Sequence, residues 1–324
     1  MGAALASPTC ATLLQTAEAR LRDADIATAR LDAEVLLAMA LGTTRAGVYA
    51  RLQHSLEADL VAHFAGLIDR RARREPIAYI TGVQEFWSLP FAVTPAVLIP
   101  RPETELLVEI VCGLVERGDH DSAGGSPPFL TFPRTGGRDP KGRARGSSDR
   151  DVYICDVGTG SGCVAVALAS ELPSARIVAT DVCADALSVA SANAERHGVG
   201  GRIRFVRGDL LEAIGGDTSF DVIVSNPPYL APDDAVSPEL AFEPRLALAA
   251  GIDGLDVVRR LITTAAKRLL PSGWLVMELG RGQESGVCEL ARAAGFSSVA
   301  VEPDLAGIPR AVVARRPSSE KDRT

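Results

Sequence analysis

Aromatic residues make up only 5% of this 324-residue chain, and no stretch approaches the roughly 18 uninterrupted apolar residues of a membrane-crossing helix. The amino terminus, M-G-A-A-L-A-S, lacks a basic region ahead of an apolar core, so no secretory signal is expected. The cytoplasm is the expected compartment. Cysteine is sparse and scattered: Cys10, Cys112, Cys155, Cys163, Cys183 and Cys288 stand singly, without a C-x-x-C pair. That spacing argues against a zinc site and against a disulfide framework. The four histidines, His54, His63, His120 and His197, form no H-E-x-x-H or other ligand pattern, so no metal is expected. Basic charge is also short, with 34 Lys and Arg against 41 Asp and Glu. A duplex-binding protein usually needs a broad basic face, so direct nucleic-acid binding is disfavoured.

What is present is a globular composition, 47% hydrophobic, at a length that suggests about two domains. Residues 1–75 read as a small helical domain. Leu31, Val35 and Met39 recur at helical spacing, as do Leu56, Leu60, Phe64, Leu67 and Ile68. The run Arg70, Arg71, Arg73, Arg74 is expected to be a solvated helix end. Residues 76–117 form a linker, with a hairpin about Phe86–Val93 and a helix opened by Glu103-Thr104-Glu105. The proline-stiffened Pro100-Arg101-Pro102 loop before that helix can line a site. Residues 118–150 are rich in Gly, Ser, Pro, Arg and Asp without apolar periodicity, and are expected to be a disordered insertion.

From 151 to 316 the pattern alternates strand and helix. Strands are expected at Asp151–Val157, Arg176–Thr180 and Arg202–Val206, through Val222, Ile223 and Val224 with Ser225 and Asn226 ending the run, at Trp274–Leu279, then near Val299 and at Ala311–Ala314. Such alternation implies a parallel sheet covered by helices on both faces. The charged residues 317–324 read as a flexible tail.

Two loops carry the chemistry. F-D-V-I-V-S-N-P-P-Y, 220–229, is a buried strand stopped by two prolines, which cannot continue a ladder. The Asn226 side-chain oxygen and the Pro227 carbonyl, its direction fixed with Pro228, could accept both hydrogens of a planar NH2 group. Tyr229 supplies a flat face for stacking. Taken alone, these residues also suit a rigid Asx-Pro turn with a packed tyrosine.

The second loop, Gly158-Thr159-Gly160-Ser161-Gly162, follows the first strand and lets a ligand approach the backbone at a helix start. Asp181 ends the next strand, where an acid can bond ribose hydroxyls; it is expected to face a ribose rather than the core. The spacing is G-x-G-x-G, not that of dinucleotide folds, and no Lys-Ser/Thr follows as in a P-loop. Asp156 would repel a pyrophosphate and welcome an ammonium. S-adenosylmethionine (SAM) fits each feature.

In this order, D-V-G-T-G-S-G, Asp181, Gly208-Asp209 and N-P-P-Y resemble a class I SAM-dependent methyltransferase. The narrower resemblance is to the release factor glutamine methyltransferases, which methylate the glutamine side chain of a Gly-Gly-Gln motif. It is carried by L-I-P-R-P-E-T-E at 98–105, Y-I-T-G-V-Q-E-F-W at 79–87, and F-E-P-R-L-A-L with D-G-L-D within 242–256. It implies an α/β, Rossmann-like, doubly wound and mostly parallel sheet, with a small helical N-terminal domain that recognises substrate and a connecting hairpin. It also implies that Asp156, Gly158 to Gly162 and Asp181 hold SAM, with Asp209 and Leu210 near the adenine. Asn226, which would also touch the cofactor, would grip the substrate amide together with Pro227, Pro228 and Tyr229. The partners implied are class I peptide chain release factors, met by a monomer. A DNA amino-methyltransferase could use the same N-P-P-Y loop, but the acidic balance and the linker motifs disfavour it.

Overall fold

The computed structural model describes residues 7–117, 151–216, 218–230 and 237–318. The expected insertion at 118–150 therefore lies outside the described residues, as does 319–324 of the expected tail. Contacts divide the chain into two units, one made of the described parts of Met1–Val83, Val93–Pro95 and Val236–Glu243. The helical unit thus gathers more than the linear span 1–75, because two later segments return to it.

In that unit, α1 (Cys10–Asp23), α2 (Ala29–Ala40), α3 (Arg45–Tyr49), α4 (Ala58–Ala72) and α5 (Ile77–Thr81) follow one another. Thr9 caps α1 by accepting the Thr12 N–H. Leu14, Leu21, Leu36, Leu37, Phe64 and Ile68 fill the core. The α2 stripe differs from expectation. Leu31 and Met39 are 42% and 43% exposed, while Ala33, Leu36 and Leu37 face inward. Helical spacing identified the helix but chose the wrong side, because α2 carries apolar residues on both.

The arginine run is a second correction. Arg71 is buried and pairs with buried Asp32 at 2.7 Å; it also reaches Glu239, as does Arg74. Arg70 pairs with Glu75. Arg70, Arg71 and Arg74 find their counter-ions within the unit, whereas Arg73 is exposed as expected. Arg71→Ala would leave Asp32 buried and unpaired, which costs about 3 kcal/mol or more. Urea unfolding of the intact chain should show that loss, and a change under about 1 kcal/mol would mean the pair is not buried in solution.

The second unit holds nearly all of a hairpin, β1 (Val83–Phe86) and β2 (Leu89–Ala92), and then α6 (Glu105–Glu116). The hairpin turns at Trp87 and Ser88, both with positive φ (53° and 56°), the signature of a type I′ turn. Bulky residues rarely hold that conformation. Here the Trp87 N–H donates to Glu105 at 2.6 Å and its indole N–H to Glu171 at 2.8 Å, which holds the turn.

Next come β3 (Val152–Val157), α7 (Cys163–Glu171), β4 (Ala175–Asp181), α8 (Ala184–Arg196), β5 (Ile203–Arg207) and β6 (Phe220–Ser225). After them come α9 (Asp256–Arg268), β7 (Leu269–Glu278), α10 (Glu284–Ala293), β8 (Ser298–Pro303) and β9 (Pro309–Arg315). The sheet order is β5-β4-β3-β6-β7-β9-β8. All neighbours are parallel except β9, which runs antiparallel to both β7 and β8; its short connection from β8 leaves no room for a crossover. Ile154, Val222, Val224 and Val276 pack on one face with α6, α7 and α8. Cys155, Val157, Ile223 and Met277 pack on the other with α9 and α10. Burial on both faces explains why β6 reads as an unbroken apolar run. The tail starts later than its charge suggested, since the Pro317 carbonyl still accepts the Ser272 N–H.

Candidate functional site

The strand order reverses between β3 and β6, and open α/β sheets bind their ligands at such a point. Val157 pairs with Ser225, the last residue of each strand, and the Ser225 hydroxyl donates to the Val157 carbonyl at 2.7 Å. The glycine loop and N-P-P-Y therefore leave the sheet side by side.

Gly158, Gly160 and Gly162 all have positive φ. A Cβ on Gly158 or Gly160 would meet nothing within 4 Å, so open space lies over the loop; on Gly162 it would meet Ala190 at 3.0 Å. Beneath, the N–H groups of Gly158 and Thr159 both donate to the Thr180 carbonyl. The buried Ser161 gives its carbonyl to Asn193, whose side chain also bonds Ala92 of the hairpin in both directions.

Asp181 accepts the N–H of Gly160 at 3.0 Å on one oxygen and that of Cys183 at 2.9 Å on the other. It shapes the glycine loop as well as standing at the strand end. Two of its acceptor lone pairs remain. Asp156 is buried rather than lining the open space, and it accepts the Thr159 hydroxyl at 2.6 Å. Burial pushes its carboxyl up to about 6. Asp209 sits half-exposed in an ion pair with Arg260 of α9 at 2.6 Å. Leu210 is half-buried with φ 50° and packs against the α9 side of the core.

In N-P-P-Y, Pro227 is buried and Asn226, Pro228 and Tyr229 half-buried. The Asn226 amide N–H donates to Thr104 Oγ1 at 3.0 Å, and the Thr104 hydroxyl donates to Glu278 at 2.6 Å. Thr104 closes a short 3-10 helix, Pro102–Thr104, and Glu278 ends β7. Burial pushes Glu278 up to about 7 and the Tyr229 phenol to about 12. Gln283 braces the loop from beyond: its amide N–H groups donate to the carbonyls of Tyr229 and Gly254, and its oxygen accepts the Gly280 N–H. Leu230 joins the 248–250 segment through two backbone bonds. Glu278 and Gln283 were not singled out in the sequence. An acid inside W-L-V-M-E-L was a signal for the first; nothing local marked the second.

This topology and the loops at its switch point define a class I methyltransferase fold. The family model "PrmC N-terminal domain" matches residues 12–82, and "Methyltransferase small domain" matches 147–243. The release factor glutamine methyltransferase of Geobacter sulfurreducens is 40% identical over 91% of this chain and 92% of its own length. That of Koribacter versatilis is 38% identical over 92% and 95%. The chain belongs to the release factor glutamine methyltransferase family. Among solved structures, the hMettl16 catalytic domain bound to the MAT2A 3'UTR hairpin 6 covers 78% of this chain and 83% of its own. At 18% identity and a TM-score of 0.52 it shares the fold alone.

The buried Asp156 makes a pH prediction. Its folded value of about 6 lies above the ordinary 3.8, so the folded chain binds this proton more tightly than the unfolded one. Its contribution to stability is full below about 4 and is lost as pH rises through about 6, a swing of roughly 3 kcal/mol. Comparing wild type with Asp156→Asn in urea unfolding across that window should isolate the swing. Parallel stability curves for the two proteins would contradict the assignment.

Proposed function

We propose that this protein transfers a methyl group from SAM to the side-chain amide nitrogen of the glutamine in the Gly-Gly-Gln motif of class I peptide chain release factors, and so acts on translation termination. The observation that carries the reading is the placement of an open glycine loop beside N-P-P-Y at one switch point; family membership supports it. The site suits SAM: there is space over Gly158 and Gly160, and Asp181 keeps acceptor capacity for ribose hydroxyls. When bound, SAM supplies an electrophilic methyl group on a sulfonium.

The chain's own residues do the rest. Gly158 to Gly162 and Asp181 hold the cofactor, with Asp209 and Leu210 toward the adenine. The buried Asp156 adds negative potential beneath the loop. Asn226 Oδ1 and the Pro227 carbonyl each accept one N–H of the glutamine amide, and Pro228 stiffens that geometry. Tyr229 packs against the flat amide. An amide nitrogen is a poor nucleophile because its lone pair is delocalised into the carbonyl. Two fixed acceptors orient the nitrogen and favour positive charge developing on it. The helical N-terminal unit recognises the release factor. Among the described residues no helix is long and apolar enough to cross a membrane, and the reading puts the protein in the cytoplasm, acting as a monomer.

The test is mass spectrometry of a release factor incubated with protein and SAM, expecting one methyl on the Gly-Gly-Gln glutamine. Asn226→Ala should still bind SAM, since the glycine loop and Asp181 are untouched, yet transfer roughly 100-fold more slowly. Wild-type transfer by that variant would reduce N-P-P-Y to a turn. An unmodified release factor would overturn the substrate assignment.

A further inference from the structure

A side-chain amide has two ends of nearly the same size, one donating and one accepting. For Asn226 to accept from a substrate, its oxygen must face outward and its NH2 must be held elsewhere. We propose that Thr104 and Glu278 are positioning residues that fix this choice: together they hold the Asn226 NH2 and leave its carbonyl oxygen for the substrate amide. The inference rests on the reading of Asn226 given above.

The polarity of the chain of bonds makes the choice. A threonine hydroxyl has one proton. Thr104 gives it to Glu278 Oε2 at 2.6 Å, a length expected when a carboxylate accepts. Its oxygen is then left only to accept, and Asn226 Nδ2 donates to it at 3.0 Å. A flipped amide would set oxygen against oxygen with no proton between them. Both Thr104 and Glu278 are 3% exposed, so water offers little competition. The two come from parts of the chain 174 residues apart, one on a proline-started helical turn and one at a central strand end. Neither belongs to N-P-P-Y, so the orientation is set from outside the loop.

The arrangement is sensitive to protonation. The groups facing Glu278 are Thr104, Arg310 of β9, Glu103 and Arg101 before α6, and Tyr229 of the loop. Burial outweighs the arginines and holds the carboxyl near 7. When protonated, Glu278 can donate to the Thr104 oxygen. The threonine proton is then free to turn toward Asn226, and a flipped amide gains a partner. Selection of the productive orientation is therefore strict above about 7 and relaxes as pH falls through it.

Thr104→Val keeps the shape and removes the acceptor. It should retain wild-type SAM affinity and lose roughly ten-fold or more in kcat, with Thr104→Ser restoring most of it. The acid limb of the wild-type kcat profile should be missing in Thr104→Val. Wild-type kcat in that variant, or no rescue by Thr104→Ser, overturns the proposal. Should Thr104→Val not fold, Glu278→Gln decides: its side chain carries no proton to lose near 7, so a kcat without the acid limb is expected and a wild-type acid limb is fatal.

A second arm needs no methyl acceptor. The Asn226 side-chain NH2 resonance, identified by its loss in Asn226→Asp, should shift in the wild type as pH crosses about 7. It should not shift in Glu278→Gln. A wild-type resonance indifferent to pH overturns the network, whereas failure to methylate a release factor while this resonance titrates refutes only the substrate assignment.

Discussion

The parallel pairing of β3 with β6, closed at Val157 and Ser225, is the constraint on which the rest of the site depends. It buries two apolar strands at the centre of the sheet and stops both at the same level. Each strand is followed by a loop that cannot continue the ladder, through glycines with positive φ in one case and prolines in the other. Two binding loops thus come to lie side by side without any long-range recognition between their own side chains. A one-residue shift in this register would reverse which face each strand residue meets. Each face packs against its own set of helices, so the fit of individual side chains and the Ser225–Val157 bond hold the alignment of the site.

Charge follows the same geometry. Two acids, Asp156 and Glu278, are buried near the carboxyl edge of the sheet, and each accepts one threonine hydroxyl, from Thr159 and Thr104. The Thr159 hydroxyl and the Ala165 N–H favour the charge at Asp156, and the Thr104 hydroxyl with Arg310 and Arg101 favours it at Glu278. Burial outweighs these groups, so both carboxyls are pushed upward. Acids held in this state cluster where proteins bind or transform ligands. Each here underlies a different loop, one beneath the glycines and one behind Asn226. The buried Arg71–Asp32 pair of the helical unit is of another kind, since each charge there has an opposite charge as partner.

Much of this was legible in the chain. β6 could be located because its β-branched run is followed by a double proline. The glycine loop and Asp181 announced themselves by spacing, although the backbone bonds Asp181 makes to Gly160 and Cys183 did not. Where the reading failed, the deciding partner was distant. Arg71 is buried against Asp32, which lies 39 residues away in sequence; no local pattern distinguishes it from the exposed Arg73. The outward face of α2 was misjudged because its inward face is apolar too. Thr104 was noticed only as part of a stiff helix start, and its meaning comes from an acid 174 residues on. Local periodicity locates elements, but polar networks close across the fold.

Gln283 ties together three stretches of backbone that are far apart in the chain, at Tyr229, Gly254 and Gly280. A single planar amide, with both its ends committed, makes them one mechanical body. Opening any one of them alone would strand a polar group of that amide, so they should loosen together. In amide hydrogen exchange this predicts a shared protection for three segments that sequence separation would assign to different foldons. Neutral drift in the 248–254 loop is then constrained by a residue it does not adjoin, and tolerance to substitution there should be read with position 283 in view.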